Sequence, residues 1–362
     1  MEILSPLPWS VTQRNGASLR RSQPNQPGGA ALGVGKVRFT GKAAPGILRF
    51  QLTATTPGMP ALGPEASVQV PADGSFSVTL ELTAGGWYGL RAEAADGSQA
   101  LAGPFGVGEV FVVAGQSLAG NHHDIRLAVT DPAGRVVAYD GAEKYWRIAH
   151  DPQPSPRFPD SGKDYWRLMQ NWLLQTQFTA NFTGGSIWPR VGDLLIAALH
   201  VPIAFVNVTL DSSTIAQWAP QGPLFDNLLR AANDVGDFRA ILWQQGESDL
   251  KAGTGAEEWR TGFLALRDAA SAALGKSSDW LVAKSTYLPT AYHKPEQEAR
   301  YRAIIDELRT MDGIFAGADT DLLAGPSRSP TGRSQHLTEQ GQEAAAFLWA
   351  ASILNHLERR SP

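Results

Sequence analysis

The chain has 362 residues, of which 43% are hydrophobic and 18% are charged, and its formal net charge is −4. This composition is typical of a globular protein, and the length suits two domains. The weak negative charge and the absence of a Lys/Arg cluster argue against nucleic-acid and membrane partners. A count of 0 cysteines excludes disulfides, thiolate metal sites and a cysteine nucleophile.

No transmembrane or targeting segment is visible in the sequence. The chain has no run of about 18 apolar residues, and Met1 to Arg14 lack the basic and apolar regions of an export signal. We therefore expect no membrane-spanning helix, and the localisation stays open between the cytoplasm and export with a signal already removed. No feature of the sequence indicates the oligomeric state.

The first 105 residues consist of short β-rich segments separated by turns that contain Gly, Pro, Asn and Asp. Short strands at such regular spacing predict a small β-sandwich domain over residues 1–105. The predicted strands are Lys36–Thr40, Ile47–Thr53, Ala66–Val70, Ser75–Leu82 and Trp87–Ala92.

After Phe105, apolar strand segments alternate with helical segments. This alternation predicts an α/β domain over residues 106–362, with a doubly wound parallel sheet of five strands. Sheets of this kind bind ligands at the carboxyl ends of their strands. The predicted strands are Glu109–Ala114, Pro202–Val208, Ala240–Trp243, Leu281–Ser285 and Gly313–Phe315.

The segment from about 121 to 190 interrupts this alternation, since it is long, irregular and rich in aromatic residues and Pro. Long irregular segments of compact domains are commonly functional, so we expect an insertion that covers the site. Its Trp side chains either line the site and contact a ligand or pack a small core of the insertion itself. The Trp residues in or near it are Trp146, Trp166, Trp188 and Trp218.

Polar turns follow two of the predicted strands. One strand runs into Gly115-Gln116-Ser117, where a serine would project from the carboxyl edge of the sheet. A second strand ends in Trp243 and runs into the segment Gln244–Asp249, which has more polar side chains than a turn requires. Both segments are also compatible with ordinary solvated turns.

Two further segments could complete a site at this edge. His336 lies between the last predicted strand and a last helix from about Glu339 to Leu357, so the sheet can bring it beside Ser117. Gly184 and Gly185 could aim a main-chain N–H into a cavity, because neither carries a side chain.

The four segments, in this order, resemble the SGNH hydrolase superfamily. The resemblance is strongest to its carbohydrate-esterase branch, which includes sialate O-acetylesterases and acetylxylan esterases. It is carried by Gly115-Gln116-Ser117, the Gly185 region, Trp243 to Glu247 and His336, and it covers about Glu109 to Leu357. It implies a flavodoxin-like hydrolase domain, a preceding β-sandwich, no cofactor and an acetylated carbohydrate as substrate.

Roles for individual residues follow from the resemblance. Ser117 is the expected nucleophile and His336 the expected general base. The expected oxyanion donors are the main-chain N–H groups of Ser117 and Gly185 and the side-chain amide of Gln245. Trp188 and His122 are the expected substrate contacts.

The sequence departs from the family at two positions. Leu118 follows the serine where the family has Asn, and Asn121 or His122 could supply the missing polar group. Arg333 stands three residues before the histidine, where the family has the Asp of the triad.

Another group must therefore orient His336. The candidates are Asp319, Asp321, Glu247 and a main-chain carbonyl that would leave a Ser–His dyad. Glu247 is slightly favoured, because it shares a turn with Gln245, and the alternative is that it only braces that turn.

Three functions remain open on the sequence. The first is a carbohydrate O-acetylesterase, and the second is an esterase for short-chain or aryl esters with the same residues. The third is a glycan-binding protein without catalysis, suggested by Leu118 and Arg333. His122 and His123 could contact substrate or bind a metal, but a metal site is not expected, because two adjacent histidines make a poor ligand set.

Overall fold

The computed structural model describes residues 1–15, 32–56, 66–154, 157–158, 163–164, 184–220, 222–289, 292–329 and 335–360. The strands there are β1 (Glu2–Ser5), β2 (Val11–Gln13), β3 (Val34–Lys42), β4 (Gly46–Ala54), β5 (Ala66–Val70), β6 (Ser75–Thr83), β7 (Trp87–Glu93), β8 (Gln99–Gly115), β9 (Val136–Asp140), β10 (Tyr145–Ile148), β11 (Arg157–Phe158), β12 (Lys163–Asp164), β13 (Ile203–Asn207), β14 (Ala240–Gln244), β15 (Asp279–Lys284) and β16 (Ile314–Asp319). The α-helices are α1 (Trp188–Leu199), α2 (Pro223–Val235), α3 (Glu247–Ala252), α4 (Ala256–Leu274), α5 (Pro295–Leu308) and α6 (Glu339–Arg360).

The N-terminal strands form two groups. Strands β1, β3 and β6 make an antiparallel sheet, while β4 pairs with β5 and β7, and β7 pairs with the first part of β8. Aromatic side chains join the groups, since the Phe39 ring lies 5.9 Å from the Phe50 ring and 5.5 Å from the Phe105 ring. Alternate residues of β3 are buried, which is the pattern expected of strands with one face on a core.

Strand β8 links the two halves of the chain. Its first part pairs antiparallel with β7, and its last part pairs parallel with β13 and β14. The boundary expected near Phe105 therefore falls inside one continuous strand. The halves share this strand and also a buried apolar cluster.

The main sheet contains parallel strands in the order β9-β13-β8-β14-β15-β16, with β10 antiparallel at the β9 edge. The five predicted strands are all present in it, and in chain order their arrangement is 2-1-3-4-5, as in flavodoxin-like sheets. The sheet is nevertheless larger than the predicted five strands. The additional parallel strand is β9, a short apolar segment whose first four residues are buried.

The expected insertion over 121–190 is thus only partly an insertion. Its residues 136–148 form β9 and β10 of the main sheet, and its end begins α1 at Trp188. Strand β9 was not predicted, because a four-residue buried run cannot be told from an irregular apolar segment by periodicity. Trp166 and most of residues 155–183 lie outside the described residues.

A buried charge cluster lies where β8 enters the main sheet. The carboxylate of Glu109 is fully buried and accepts hydrogen bonds from Arg14 at 2.7 Å, Arg239 at 2.8 Å and Gln13 at 3.0 Å. Burial alone would raise the pKa of Glu109, but the charges of Arg239 and Arg14 prevail and hold it below its usual value. The cluster links the N-terminal strand β2 to β8. The two strands also pair with each other in parallel register.

Helices cover both faces of the main sheet. Helix α6 packs against α1 and β16 on one side, and α4 contacts α2 and α5 on the other. None of the helices in the described residues combines the length and the apolar character that crossing a bilayer requires.

Candidate active site

The turn that carries Ser117 begins at the carboxyl end of β8. Gly115 adopts φ +129°, and a Cβ there would lie 2.0 Å from the carbonyl oxygen of Gln244 on the neighbouring strand β14. Only glycine fits this approach, and the chain can therefore turn away sharply at the sheet edge. Hydrogen bonds from Ala119 N–H to Gln116 C=O (2.9 Å) and from Gly120 N–H to Ser117 C=O (3.0 Å) close the turn.

The structure brings the two principal predicted residues together. His336 Nε2 lies 3.0 Å from Ser117 Oγ, although the residues are 219 positions apart in the chain. His336 precedes α6, whereas Ser117 follows β8, so the sheet topology places both loops at one edge. Ser117 is 4% exposed, and His336 as a whole residue is partly exposed.

The surroundings of His336 favour its neutral form. Burial lowers the pKa of His336 well below its usual 6.5, and the nearby His122, His123, Lys251 and Arg328 lower it further. The lone pair of a neutral imidazole can accept the proton of a hydroxyl at hydrogen-bond distance. The Ser117 hydroxyl and the His336 imidazole thus lie at hydrogen-bond distance, in surroundings that disfavour a charged imidazolium.

His122 lies against the base. Its ring stacks on the His336 ring with centroids 5.1 Å apart and an interplanar angle of 27°, and its Nε2 is paired with the carboxylate of Asp211. The side chain keeps 10% exposure, so a substrate could reach only part of it. Asp211 was not predicted from the sequence, where its one signal is an acidic residue shortly after a buried strand.

His123 is the most deeply buried histidine of the site, with 0% exposure. Its Nε2 lies 3.1 Å from the carbonyl oxygen of Leu118, and its Nδ1 accepts a hydrogen bond of 3.2 Å from the N–H of Leu337. Burial lowers the pKa of His123 to about 3. From the sequence, this residue was considered only as a substrate or metal contact.

Gly185 pairs with His123, which follows the turn that carries Ser117. It forms a β-bridge with His123, in which the Gly185 N–H donates to His123 C=O at 3.3 Å and the His123 N–H donates to Gly185 C=O at 2.9 Å. Ser186 anchors this segment, since its N–H and Oγ donate to Asp151 at 2.7 and 2.6 Å. The expected oxyanion donor of Gly185 is therefore engaged with His123 in this structure.

The side chain of Gln245 is also engaged. Its amide group donates to the carbonyl of Ser213 at 3.0 Å and to the carboxylate of Asp249, and its oxygen accepts from Trp259 Nε1 at 2.7 Å. Gln245 is fully buried. These contacts brace the turn after β14, and they use the amide that was expected to face an oxyanion.

The carboxylates predicted as partners of His336 accept hydrogen bonds from other residues. Glu247 is fully buried and accepts a hydrogen bond of 2.8 Å from Ser285 Oγ. Asp321 accepts from Thr286 Oγ1 at 2.6 Å, and Asp319 accepts from Arg302 at 3.1 Å.

Burial raises the pKa of Glu247 to about 7, so this side chain carries a proton at mildly acidic pH. Arg333, the residue at the family's Asp position, lies outside the described residues.

Two cationic side chains donate hydrogen bonds to Gln335, the residue before His336. Arg328 donates to the carbonyl of Gln335, and Lys251 Nζ donates to the Gln335 side chain at 3.0 Å. Arg328 also donates to the carbonyls of Leu323 (2.7 Å) and Thr320 (2.6 Å), which ties the loop before α6 to the end of β16.

Three of the four expected aromatic platforms are core residues, and the fourth, Trp166, lies outside the described residues. Trp188 is 0% exposed, and its ring packs on Phe205 and Trp349, so the expectation that Trp188 binds substrate is wrong. Trp218 is likewise buried against Trp243, and Trp146 is 7% exposed. These rings pack inside the fold because large apolar surfaces gain most from leaving water.

The described residues contain no group of three or more His, Asp or Glu side chains arranged to hold a metal ion. The described side chains at this sheet edge include Ser117, His336, His122 and Asp211.

The sequence and the fold were compared with known proteins. Residues 107–278 match the family model described as carbohydrate esterase, sialic acid-specific acetylesterase. None of the curated proteins compared with the chain matches it significantly.

Solved structures with a similar fold include a carbohydrate acetylesterase from Xanthomonas citri, which is 17% identical to this chain with a TM-score of 0.60. The alignment covers 98% of this chain and 75% of the chain from Xanthomonas citri. A protein from Arabidopsis thaliana is 16% identical with a TM-score of 0.52 and covers 69% of this chain and 98% of its own. Over residues 107–278 the chain is therefore similar to carbohydrate esterases of the sialic acid-specific acetylesterase family, and its fold is similar to that of a carbohydrate acetylesterase.

Proposed function

We propose that the protein is a serine esterase that removes O-acetyl groups from a carbohydrate through an acetyl-enzyme on Ser117. The observation that carries the proposal is the 3.0 Å contact between Ser117 Oγ and His336 Nε2 at the carboxyl edge of the sheet. A glycan-binding protein without catalysis has no need of a serine aligned on a neutral imidazole.

The acylation step needs a base and then an acid. Ser117 Oγ attacks the acetyl carbonyl carbon while its proton passes to His336 Nε2. When the tetrahedral intermediate collapses, the bond between the carbonyl carbon and the sugar oxygen breaks, and His336 gives its proton to that oxygen. The sugar leaves as a free alcohol, and the acetyl group stays on Ser117.

Deacylation repeats the sequence with water. His336 takes a proton from a water molecule, whose oxygen attacks the acetyl carbonyl, and the proton then returns to Ser117 Oγ as acetate leaves. The partial exposure of residue His336 is compatible with this step, because water must reach Nε2.

The oxyanion requires donors that are in place before the attack. The main-chain N–H of Ser117 is the donor that we propose first, since it lies in the turn beside the reacting oxygen. The N–H of Gly185 is a second donor if it exchanges its 3.3 Å bond to His123, which is longer than the 2.9 Å bond that the His123 N–H donates to Gly185 C=O. Gln245 is assigned a bracing role, because its amide is bonded to Ser213 and Asp249.

Glu247 was predicted either to orient His336 or to brace the turn after β14. Its hydrogen bond from Ser285 and its raised pKa favour the bracing role, because a neutral carboxyl stabilises an imidazolium poorly. We therefore propose that Glu247 braces the turn after β14, and that Ser117 and His336 carry out the bond-making and proton-transfer steps.

The test is acetate release from a panel of acetylated mono- and oligosaccharides and of aryl acetates. The intact protein should release acetate, and Ser117→Ala should abolish release while sugar affinity and unfolding temperature stay unchanged. Cleavage of aryl esters alone would favour the short-chain esterase function. Equal rates for the protein and for Ser117→Ala would refute the serine mechanism.

A further inference from the structure

One side chain bonds to the main chain of both loops that carry the reacting atoms. His123 Nε2 lies 3.1 Å from the carbonyl oxygen of Leu118, the residue after Ser117. Its Nδ1 lies 3.2 Å from the N–H of Leu337, the residue after His336. The imidazole therefore spans the gap between the nucleophile turn and the base loop.

The two bonds define the tautomer of His123. A main-chain N–H only donates, so Nδ1 must carry the lone pair and Nε2 must carry the proton, which it donates to the Leu118 carbonyl. A doubly protonated ring would set an N–H against the N–H of Leu337. Because burial lowers the pKa of His123 to about 3, the neutral ring persists across the pH range in which the enzyme would work.

The backbone around His123 strengthens the link. The N–H of Asp124 donates to Leu337 C=O at 3.0 Å, and the N–H of His123 donates to Gly185 C=O at 2.9 Å. The His123 ring also packs edge-on against the His336 ring, with centroids 6.4 Å apart and an interplanar angle of 70°. Among these described contacts, the His123 side chain is the element that reaches the residue after Ser117.

We propose that His123 is a positioning residue, which sets the distance between Ser117 Oγ and His336 Nε2 by bonding to both loops. The proposal rests on the proposed Ser117–His336 chemistry, on which His123 acts through its bonds to the two loops. The kinetic consequence is specific. Loss of the bonds should lower kcat and leave KM unchanged, because substrate contacts stay as they are.

Three substitutions separate the bonds. His123→Phe keeps the ring volume and loses both bonds, so kcat should fall about 100-fold, the cost of a misplacement of roughly 1 Å. His123→Asn keeps an acceptor near the Nδ1 position, and His123→Gln keeps a donor near the Nε2 position. Each should give a kcat between those of His123→Phe and the wild type, with unchanged KM.

The pH profile distinguishes positioning from simple destabilisation. In His123→Phe, a displaced His336 gains contact with water, which relieves the burial that lowers its pKa. The acid limb of kcat/KM should therefore move to higher pH. If kcat and the acid limb of all three folded variants equal those of the wild type, the proposal is wrong.

His356 provides a matched control. It is a second buried histidine, 2% exposed, whose ring packs against Phe315 near the start of β16 at the opposite end of the sheet. His356→Phe should lower the unfolding temperature without changing kcat or the acid limb. If His356→Phe and His123→Phe change kcat equally, His123 has no positioning role.

Two measurements separate this proposal from the proposed function. A fluorophosphonate, which needs no sugar pocket, should label Ser117 of the wild type quickly and Ser117 of His123→Phe slowly. If the wild type is not labelled, the proposed serine chemistry is refuted, whereas the role of His123 is not. Independently, the imidazole ¹⁵N spectrum should show His123 with an unprotonated Nδ1 that does not titrate between about pH 8 and about pH 5. A titrating His123, or one with its proton on Nδ1, would overturn the positioning role whatever the activity.

Discussion

The indole Nε1 of Trp188 donates a hydrogen bond of 2.7 Å to the carbonyl of Ala119, within the turn that follows Ser117. The ring itself lies between Phe205 and Trp349, at 5.2 and 5.7 Å between centroids. Trp188 thus supports the nucleophile turn from inside the fold, whereas the sequence suggested a surface for sugar.

Trp188→Phe should separate these two roles. The substitution keeps most of the ring contacts and loses the hydrogen bond, so the free energy of unfolding should fall by about 1 kcal/mol. We expect a kcat reduced by less than about tenfold, since the turn loosens, and an unchanged KM for acetylated sugars. A raised KM with unchanged stability would instead indicate a substrate contact.

The pH dependence of activity should reflect the environment of His336. Because burial and the neighbouring cations lower its pKa well below 6.5, the base stays neutral at mildly acidic pH. The acid limb of kcat/KM should therefore lie below pH 6.5. Lys251→Met removes one of the neighbouring charges, so it should move the limb to higher pH. A wild-type limb above 6.5 would contradict the described environment.

Glu247→Gln should change the pH dependence of stability more than activity. The folded protein holds a proton on Glu247 up to a pKa of about 7, whereas the usual value is 4.5. Between these values the unfolded chain releases that proton first, so stability falls as pH rises, by at most about 1.4 kcal/mol per pH unit. Glu247→Gln should remove this slope in urea titrations and keep kcat within about tenfold. A loss near 10⁴-fold in kcat would mean that Glu247 orients His336.

Glu109→Gln should destabilise the fold without touching the site. It leaves the guanidinium groups of Arg14 and Arg239 without their buried countercharge, which costs about 3–5 kcal/mol. The pKa of Glu109 is depressed in the fold, so its stabilisation is present above its usual 4.5 and is lost as the pH falls below it. Glu257→Gln, at an exposed pair with Arg260, is the control and should change stability by about 0.5 kcal/mol or less. Equal effects of the two substitutions would refute the cluster's role.

Gly115→Ala should disrupt the nucleophile turn. The added Cβ would lie 2.0 Å from the Gln244 carbonyl oxygen, which forces β8 and β14 apart next to Ser117. Gly97→Ala is the control, because Gly97 also has a positive φ, but a Cβ added there would meet no atom of the described residues within 4 Å beyond its chain neighbours. We expect a cost of about 1 kcal/mol and full activity for Gly97→Ala, and loss of activity for Gly115→Ala. Similar stabilities and rates for both variants would refute the steric argument.

Local patterns in the sequence were sufficient to predict much of the fold. Five apolar segments became adjacent strands of the main sheet, because buried parallel strands require continuous apolar residues. Strand β9 was missed, since its few buried residues gain strand geometry only by pairing with β13. The helix predicted from about Glu339 to Leu357 is observed as α6, Glu339–Arg360.

By itself, the sequence determined which residues could react, since a serine after a strand and Gly115, and a histidine before the last helix, are local features. Only the tertiary structure decided how the other candidates are used. Trp188 is a core residue, Gln245 braces a turn, and His123 bonds to Leu337 across 214 positions of the chain. The physical reason is that burial and hydrogen-bond partners depend on segments that meet only when the sheet assembles. The spacing of residues within one segment therefore does not predict the burial or the partners of a side chain.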